Sequence, residues 1–576
     1  MYPRGVSPSG VSQVIQPFRI VTFAVAVLVL AVATATTARA QTYSALYEFG
    51  GKTGDPANPQ YSGIIAQGRD GNLYSTAPAV PIGGLCSFCG AVFKITPSGT
   101  LTVADYFNDA AGSGYTPFGG LTLGTDGNFY GTTKAGGTFN LGTVFKITAG
   151  GTLTKLYNFG TCKYPCVDGA YPIAPPVQGS DGNFYGTTPF TTNGTNDGIL
   201  YKITPAGKFT ILYVFNGSSG AFPNDPLIQG TDGNFYGTTT LGGKTLGSTC
   251  VVRSSSFTCG TVFKMTPAGK VTFIHDFGKT DGAGPIGPLT QGSDGNFYGT
   301  TSEGGTSGFG VVFKLTTSGV LTVLHNFNGT DGKTPDAGLV QANHGDLYGV
   351  ASAGGILGYG TIFKQTSTGS FSVLYNFENT HGATPEGTLF QHTNGILYGD
   401  TDSGDSHGDG VFYSLNIGAA EFARLQTTSG KVGSSVAIFG QGFTGTKMVS
   451  FNGVDGTPVS VTDTYLTVNV PSGAKTGTVT VVRPSGNLAS IQQFKVTPTI
   501  NSFSPTSGKV GTVVSITGTG LTQTTKVTFG GVKAAFTVSS DSKVAATVPG
   551  GAKTGKIAVT TAGGSATSSG TFAVTP

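Results

Sequence analysis

The chain has 576 residues, too long for one hydrophobic core, and carries 94 glycines, 29 prolines, no tryptophan and only 10% charged residues. That length points to several domains, and glycine at this level without a Gly-X-Y period means many turns and excludes collagen. The formal net charge of +4 argues against a nucleic-acid partner, because phosphate binding calls for a concentrated basic patch.

Arg4 and Arg19 precede an apolar run from Ile20 to about Val32, and Ala38-Arg39-Ala40 fits a small-x-small cleavage site. Residues 1–40 therefore read as a secretory signal peptide. An uncleaved anchor is the alternative, since Ile20 to Ala38 nearly reaches the length of a membrane span. Cleavage removes three arginines and no acid, which leaves 29 basic against 28 acidic residues. The expectation is a nearly neutral, secreted or cell-surface protein with no transmembrane segment in the mature chain.

From residue 43 a block of about fifty residues recurs seven times. Its clearest mark is Gly-[Ser/Thr]-Asp-Gly-Asn-Phe-Tyr-Gly-Thr-Thr, as at Thr125–Tyr130, Ser180–Tyr185, Thr231–Tyr236 and Ser293–Tyr298, with weaker copies ending in Tyr74, Tyr348 and Tyr398. Each copy holds four short segments rich in aromatic and β-branched residues, separated by Gly, Asn, Asp and Pro. Asp-Gly is a tight-turn dipeptide because positive φ costs glycine nothing. Four antiparallel strands per copy predict an all-β, seven-bladed β-propeller over residues 41–418. Phe49, Phe107, Phe159, Phe215, Phe277, Phe327 and Phe377 end the same strand of each copy and are assigned to an inter-blade core. The phase of the repeat leaves Tyr43–Phe49 as an outer strand without a blade, while the last copy stops near Asn416 without an outer strand. The two are expected to pair and close the ring.

The meander places the Asp-Gly-Asn turns on one face and the long loops on the other. Cys86/Cys89, Cys162/Cys166 and Cys250/Cys259 all fall in the long-loop class. Local disulfides are the leading reading in an exported protein. The Cys86-Ser-Phe-Cys89 spacing also matches a redox or zinc half-site, but no helix and no second ligand pair accompany it.

Chemistry-bearing residues are few. Asp400, Asp402, Asp405 and Asp409 crowd one loop of the last copy and form a calcium candidate, without EF-hand spacing. Gly404-Asp405-Ser406-His407-Gly408 matches the nucleophile elbow in letters but lies in an all-β repeat, where the required strand-turn-helix is missing. Gly550–Lys556 nearly spells a P-loop, with Ile557 in place of Ser or Thr. His275 and His325 occupy a position held elsewhere by tyrosine, and His344, His381, His392 and His407 are scattered. Lys94, Lys146, Lys202, Lys264, Lys314 and Lys364 read as the exposed face of one strand.

Beyond about residue 421 the pattern changes. Ser429-Gly430-Lys431-Val432-Gly433 recurs as Ser507-Gly508-Lys509-Val510-Gly511, and Pro471–Gly477 recurs as Pro549–Gly555, both at an offset of 78. Alternating strands such as Val513–Thr517 predict two immunoglobulin-like β-sandwiches, 419–497 and 498–576. Ile500-Asn501-Ser502-Phe503-Ser504-Pro505, Val514–Gly520 and Val527–Gly531 resemble an IPT/TIG domain. The first copy departs at Leu425-Gln426-Thr427-Thr428. The repeats at 43–416 resemble the Gloeo_Verruco tandem repeats of exported bacterial proteins. That family often ends in a sorting anchor, and none is visible before Pro576. Neither resemblance brings a catalytic residue or a cofactor with it.

The leading functional expectation is a non-catalytic binding or display protein that takes a glycan or a surface protein through the long-loop face. The alternatives are a polysaccharide lyase or hydrolase, which should break the repeat symmetry with unique His, Glu or Asp at one channel mouth, and a structural envelope spacer.

Overall fold

The computed structural model describes residues 41–59, 64–80, 89–107, 112, 114–161, 168–191, 197–243, 250–252, 255–257, 259–366 and 368–576, with backbone alone at 250–252 and 255–257. The calls on the leader and on Cys86, Cys162 and Cys166 lie outside these residues.

Seven four-stranded antiparallel sheets follow one another among the described residues. In blade 1 the strands run Ala66–Gln67, Leu73–Ala77, Ala91–Ile95 and Leu101–Tyr106, ordered from inside to outside. Blade 4 adds a hairpin, Cys250–Val252 with Ser255–Phe257, between its second and third strands. The one helical segment among the described residues is a 3-10 turn at Asn379–His381.

The ring closes as the repeat phase requires. Thr42–Glu48 pairs antiparallel with Val411–Asn416, from Thr42↔Asn416 to Glu48↔Val411. Its register shifts between Ala45 and Tyr47, matching the bulge that blade 1 shows opposite Val92/Phe93. Phe49 N donates to Gly410 O at 2.9 Å, as Phe107 N does to Gly90 O at 2.8 Å. The first strand of the fold is thus a full outer strand of blade 7, and closure leaves no open seam for another chain to pair with.

The strand-end phenylalanines are buried and reach across blade boundaries. Phe49 meets Phe93 at 5.5 Å, Phe107 meets Phe145 at 5.0 Å and Phe327 meets Phe363 at 5.3 Å between ring centroids. At the Phe93 position, blades 3 and 7 carry Tyr201 and Tyr413, whose buried hydroxyls have no hydrogen-bond partner.

A second interlock runs nearer the axis. Tyr74 stacks on Phe129 of the next blade at 4.2 Å, Tyr130 on Phe184 at 3.8 Å and Tyr185 on Phe235 at 4.0 Å. Each of these tyrosines donates to the aspartate of its own turn, as Tyr130 does to Asp126 Oδ2 at 2.9 Å. The inner strand of the following blade supplies a glutamine that accepts from the turn backbone. Thr125 N reaches Gln178 at 2.8 Å, Ser180 N reaches Gln229 at 2.8 Å, Asn343 N reaches Gln391 at 2.9 Å, and Thr393 N reaches Gln67 at 3.3 Å across the closure. Blade 2 has Leu123 at this position, and Arg69 of blade 1 donates to Thr125 O instead.

The lysines expected on an exposed strand face are half-covered instead. Lys264 and Lys314 reach the turn aspartates Asp232 and Asp294 at 2.8 Å and lie over Tyr236 and Tyr298. The long stem lets the ammonium reach back to the turn, so a polar position on the strand is used for packing. Burial pushes Asp232 and Asp294 up, but the donors from lysine, asparagine and tyrosine outweigh it and hold both well below the usual carboxylate range.

The two sandwiches share one core pattern at the 78-residue offset. Val436, Ile438, Val449, Phe451 and Phe494 of the first correspond to Val514, Ile516, Val527, Phe529 and Phe572 of the second, all buried. The entry strand is Thr499–Ser504 in the second but only Arg424–Leu425 in the first. The preceding residues of the first are engaged with the propeller, where Phe422 N donates to Thr393 O.

Two outcomes test the ring. Phe49→Ala should cost about 3–5 kcal/mol in chemical denaturation, as much as Phe327→Ala; a loss below 1 kcal/mol would mean that the first strand is peripheral. Tyr201→Phe should raise stability by roughly 1 kcal/mol, because it removes a buried unpaired hydroxyl, measured in the same way.

Candidate functional site

The two faces of the propeller differ. The turn face is occupied by the first sandwich. Thr464 Oγ1 donates to Arg69 O at 2.9 Å in blade 1, Gln426 to Gly124 O at 2.8 Å in blade 2, Lys495 to Thr231 O at 3.2 Å in blade 4 and Gln441 to Thr393 Oγ1 at 2.8 Å in blade 7, while Asn343 of blade 6 donates to Ala420 O at 2.8 Å. Arg69 also lies over the Tyr465 ring at 4.8 Å. Contacts from five blades around the ring set the sandwich across the axis, so among the described residues the long-loop face holds the open mouth.

A recurrent backbone device shapes that mouth. One residue per blade adopts positive φ directly before a proline: Asn58, Thr116, Tyr171, Phe222, Gly284, Thr334 and Thr384, with φ between 50° and 61°. For a bulky residue such as Phe222 this region is an outlier that the surroundings must hold. The proline then docks on the previous blade, where only glycine fits. A Cβ on Gly198 would stand 2.5 Å from Pro223, and one on Gly360 would stand 2.6 Å from Pro385. The residue after each proline is carried toward the axis and varies from blade to blade: Phe118, Ile173, Asn224, Ile286, Asp336 and Glu386.

Four of these residues line a concave pocket of ≈ 230 Å³, together with Lys134, Tyr171, Pro189, Phe190, Phe222 and Asp225. Phe190 makes edge contacts with Tyr171 at 5.8 Å and Phe222 at 5.1 Å, and Lys134 lies over Phe118 at 4.9 Å. The pocket therefore has aromatic walls from three successive blades and a few polar groups, the usual make-up of a small-ligand site.

One ring of side chains at this mouth breaks the repeat. The residue two after the stacking tyrosine is Thr76, Thr132, Thr187, Thr238 and Thr300 in blades 1–5 and Val350 in blade 6. The threonines tie neighbouring blades together; Thr132 donates to Ala174 O at 3.0 Å and Thr300 to Ala337 O at 2.7 Å. Blade 7 has Asp400, paired with Phe412 in the register that pairs Thr132 with Val144. Asp400 is 2% exposed and its Oδ2 has no partner. Burial first, then the charges of Asp402 and Glu386, push its carboxyl up to about 7.

The four aspartates of the calcium candidate do not gather. No three of them bring ligand atoms within 4.8 Å of one another among the described residues; the group that does is Glu48, Asp405 and His407, on the outer loop. Asp400 and Asp402 act on each other, and Asp405 acts on Asp409, which makes two pairs in place of one cage. Asp405 caps the amides of His407 and Gly408 at 2.6 and 2.7 Å.

The elbow-like serine is not a nucleophile arrangement. Ser406 Oγ donates to exposed Glu48 at 3.1 Å and lies 3.0 Å from His407 Nδ1, its neighbour in sequence. Gly550–Lys556 is a turn into the strand Gly555–Thr561. The histidines do not converge either. His275 and His325 bind Asp281 at 3.0 Å and Asp331 at 2.9 Å, as Tyr47 binds Asp55 at 2.7 Å. His392 is buried on the turn face against Gly71 O at 3.0 Å, and burial pulls it down to about 4. Cys89 and Cys259 are buried and are not free thiols.

The residues that sequence reasoning missed are the aromatic wall, Lys134 and the post-proline ring. Their signal was present as a fixed proline followed by a variable position. The channel and its two unlike faces define the molecule as a seven-bladed propeller capped on one side by a β-sandwich. The chain belongs to the Gloeobacter/Verrucomicrobia repeat family, whose model matches residues 31–166 and 243–449, more than half of its length. Residues 498–574 match the IPT/TIG domain. The interval between the two repeat matches holds blade 3 and the first strands of blade 4, whose sheets have the same order as the rest. No curated protein matches the sequence. Among solved structures, a fungal alcohol oxidase of the AA5 family is similar at 14% identity and TM-score 0.45, over 80% of this chain and 100% of that one. An aldose sugar dehydrogenase from Streptomyces coelicolor is similar at 12% identity and TM-score 0.35, over 52% and 93%. The surface glycan-binding protein PbSGBP-B from Prevotella bryantii is similar at 20% identity and TM-score 0.20, over 26% and 41%.

The raised pKa of Asp400 has a signed consequence. The fold favours the protonated carboxyl, so the stability linked to it is complete below pH 3.8 and is lost as pH rises through about 7. Asp400→Thr should therefore raise the melting temperature at pH 8, by the equivalent of on the order of 4 kcal/mol, and change it little at pH 3.5. An equal shift at both pH values in calorimetry would contradict this.

Proposed function

We propose that this is a secreted or cell-surface binding protein that takes a saccharide into the open mouth of the propeller. The observation that carries the reading is the aromatic pocket of Tyr171, Phe190 and Phe222 beside Lys134, Asn224 and Asp225. Flat aromatic faces stack on the apolar faces of sugar rings, and the polar groups between them serve hydroxyls. A second reading, a polysaccharide-acting enzyme, draws its support from Asp400, the one acid in a ring otherwise made of threonine and valine. The binding reading is preferred because the concave pocket is lined by the aromatic groups of blades 2–4, and Asp400 is not among its lining residues.

The boundaries 1–40 (signal peptide), 41–418 (propeller), 419–497 and 498–576 (sandwiches), and the disulfides Cys86–Cys89, Cys162–Cys166 and Cys250–Cys259, belong to the same proposal. Intact-mass and peptide mapping of the exported protein should give Gln41 as the first residue and three local disulfides. A retained leader or long-range pairing would contradict it.

The test of function is a glycan array followed by calorimetry on residues 41–576. Tyr171→Gly and Phe222→Gly relieve the backbone strain, so both variants should stay folded and lose at least tenfold in affinity for any saccharide that the parent binds. Unchanged affinity in both folded variants would move the site away from the mouth.

A further inference from the structure

The mouth that holds the aromatic pocket is polarised. After the conserved proline, blades 2 and 3 carry Phe118 and Ile173 where blades 6 and 7 carry Asp336 and Glu386, and at two further positions Asp400 and Asp402 of blade 7 stand where blade 2 has Thr132 and Lys134. In the other described blades the counterparts of these four acids are apolar or uncharged polar residues, apart from Lys134 in blade 2. A cluster of acids is by itself unremarkable as surface chemistry. Asp400 adds to this a side chain that is 2% exposed and whose Oδ2 accepts no hydrogen bond. A buried carboxylate oxygen without a donor carries a desolvation cost that a cationic donor would remove.

We infer that the acidic side of the mouth, centred on Asp400 with Asp402 and Glu386, binds an ammonium group, and that the saccharide recognised is an amino sugar with a free amine. This deepens the saccharide reading and rests on it. A directly coordinated divalent ion fits less well. Calcium takes six to eight oxygens at about 2.3–2.6 Å, and no three acids here bring their oxygens within 4.8 Å of one another among the described residues. An ammonium offers three rotatable donors at hydrogen-bond length and tolerates a wider spread of acceptors. The aromatic wall then takes the sugar face, and the acids on the far side of the mouth take the amine.

The experiment compares three hexasaccharides by calorimetry at pH 7.5 in EDTA: fully deacetylated chitohexaose, its N-acetylated form and cellohexaose. The parent and the Asp400→Thr and Asp400→Asn variants are all measured. Thr is the residue that blades 1–5 place there, so that variant should fold at least as well as the parent. The deacetylated hexamer should bind at least tenfold tighter than the other two, and both variants should lose that preference while keeping cellohexaose affinity. If the neutral hexamers bind and the amine gives no advantage, or if the variants keep it, the inference is overturned and the saccharide reading stands. A thermal-shift series with n-butylamine separates the opposite case. If no hexamer binds, the saccharide reading falls, and a butylamine stabilisation that Asp400→Thr abolishes would uphold the ammonium site alone. Stabilisation by calcium but not by butylamine, lost in the same variants, would overturn the ammonium site in favour of a metal.

Discussion

Each blade of this ring is held by the blade that follows it, and the rest of the structure depends on that interlock. In blades 1–4 the turn aspartate fixes the tyrosine of its own blade and the tyrosine packs on the next blade's phenylalanine, and at every boundary but that between blades 1 and 2 the next blade's glutamine accepts from the turn backbone. Each hydrogen bond of this kind is worth only about 1 kcal/mol and each aromatic pair about 0.5–1.5 kcal/mol. The strength lies in repetition around a closed path, because no blade can leave without opening two boundaries. The strand Thr42–Glu48 completes the path by supplying the outer strand, with its bulge and terminal phenylalanine, that blade 7 would otherwise lack.

A ring of nearly equivalent blades becomes a directional object through what is added to it. The first sandwich uses side chains to reach backbone carbonyls on the turn face, and so engages blades whose side chains differ. The opposite face keeps its glycine-proline docking constant while the residue after each proline varies. Constant backbone with variable side chains is the arrangement by which a rigid scaffold carries a specific site. Departures from sevenfold equivalence gather at the open mouth: aromatic walls on blades 3 and 4, a lysine on blade 2, acids on blades 6 and 7.

Much of the architecture was legible because it is written in local chemistry. Asp-Gly-Asn turns mark the first connection of five blades, one phenylalanine marks the end of each outer strand, and Tyr43–Phe49 out of phase with Asn416 implies closure. The cap was not legible, because its bonds go largely to main-chain oxygens such as those of Arg69 and Gly124, which any residue would offer. The lysines misled because alternation reports which side of a strand a residue leaves from and not where a four-carbon stem can return. Asp400 was grouped with Asp402, Asp405 and Asp409 by closeness in sequence. In the fold, Asp400 pairs with Asp402 and Asp405 with Asp409, and the informative comparison runs across blades to Thr132 and Thr300. The aromatic wall escaped notice because tyrosine and phenylalanine are abundant everywhere, and only the positive φ at Tyr171 and Phe222 sets those two apart.

The central claim is that binding happens at the open mouth of a ring whose other end is closed. Hydrogen exchange on the mature protein, with and without a saccharide that it binds, tests this most directly. The account predicts that protection appears at residues 116–119, 171–173, 222–225 and 400–402, while the turns at 125–128, 180–183 and 231–234 and both sandwiches exchange as before. Protection confined to the turn face or to a sandwich would contradict it.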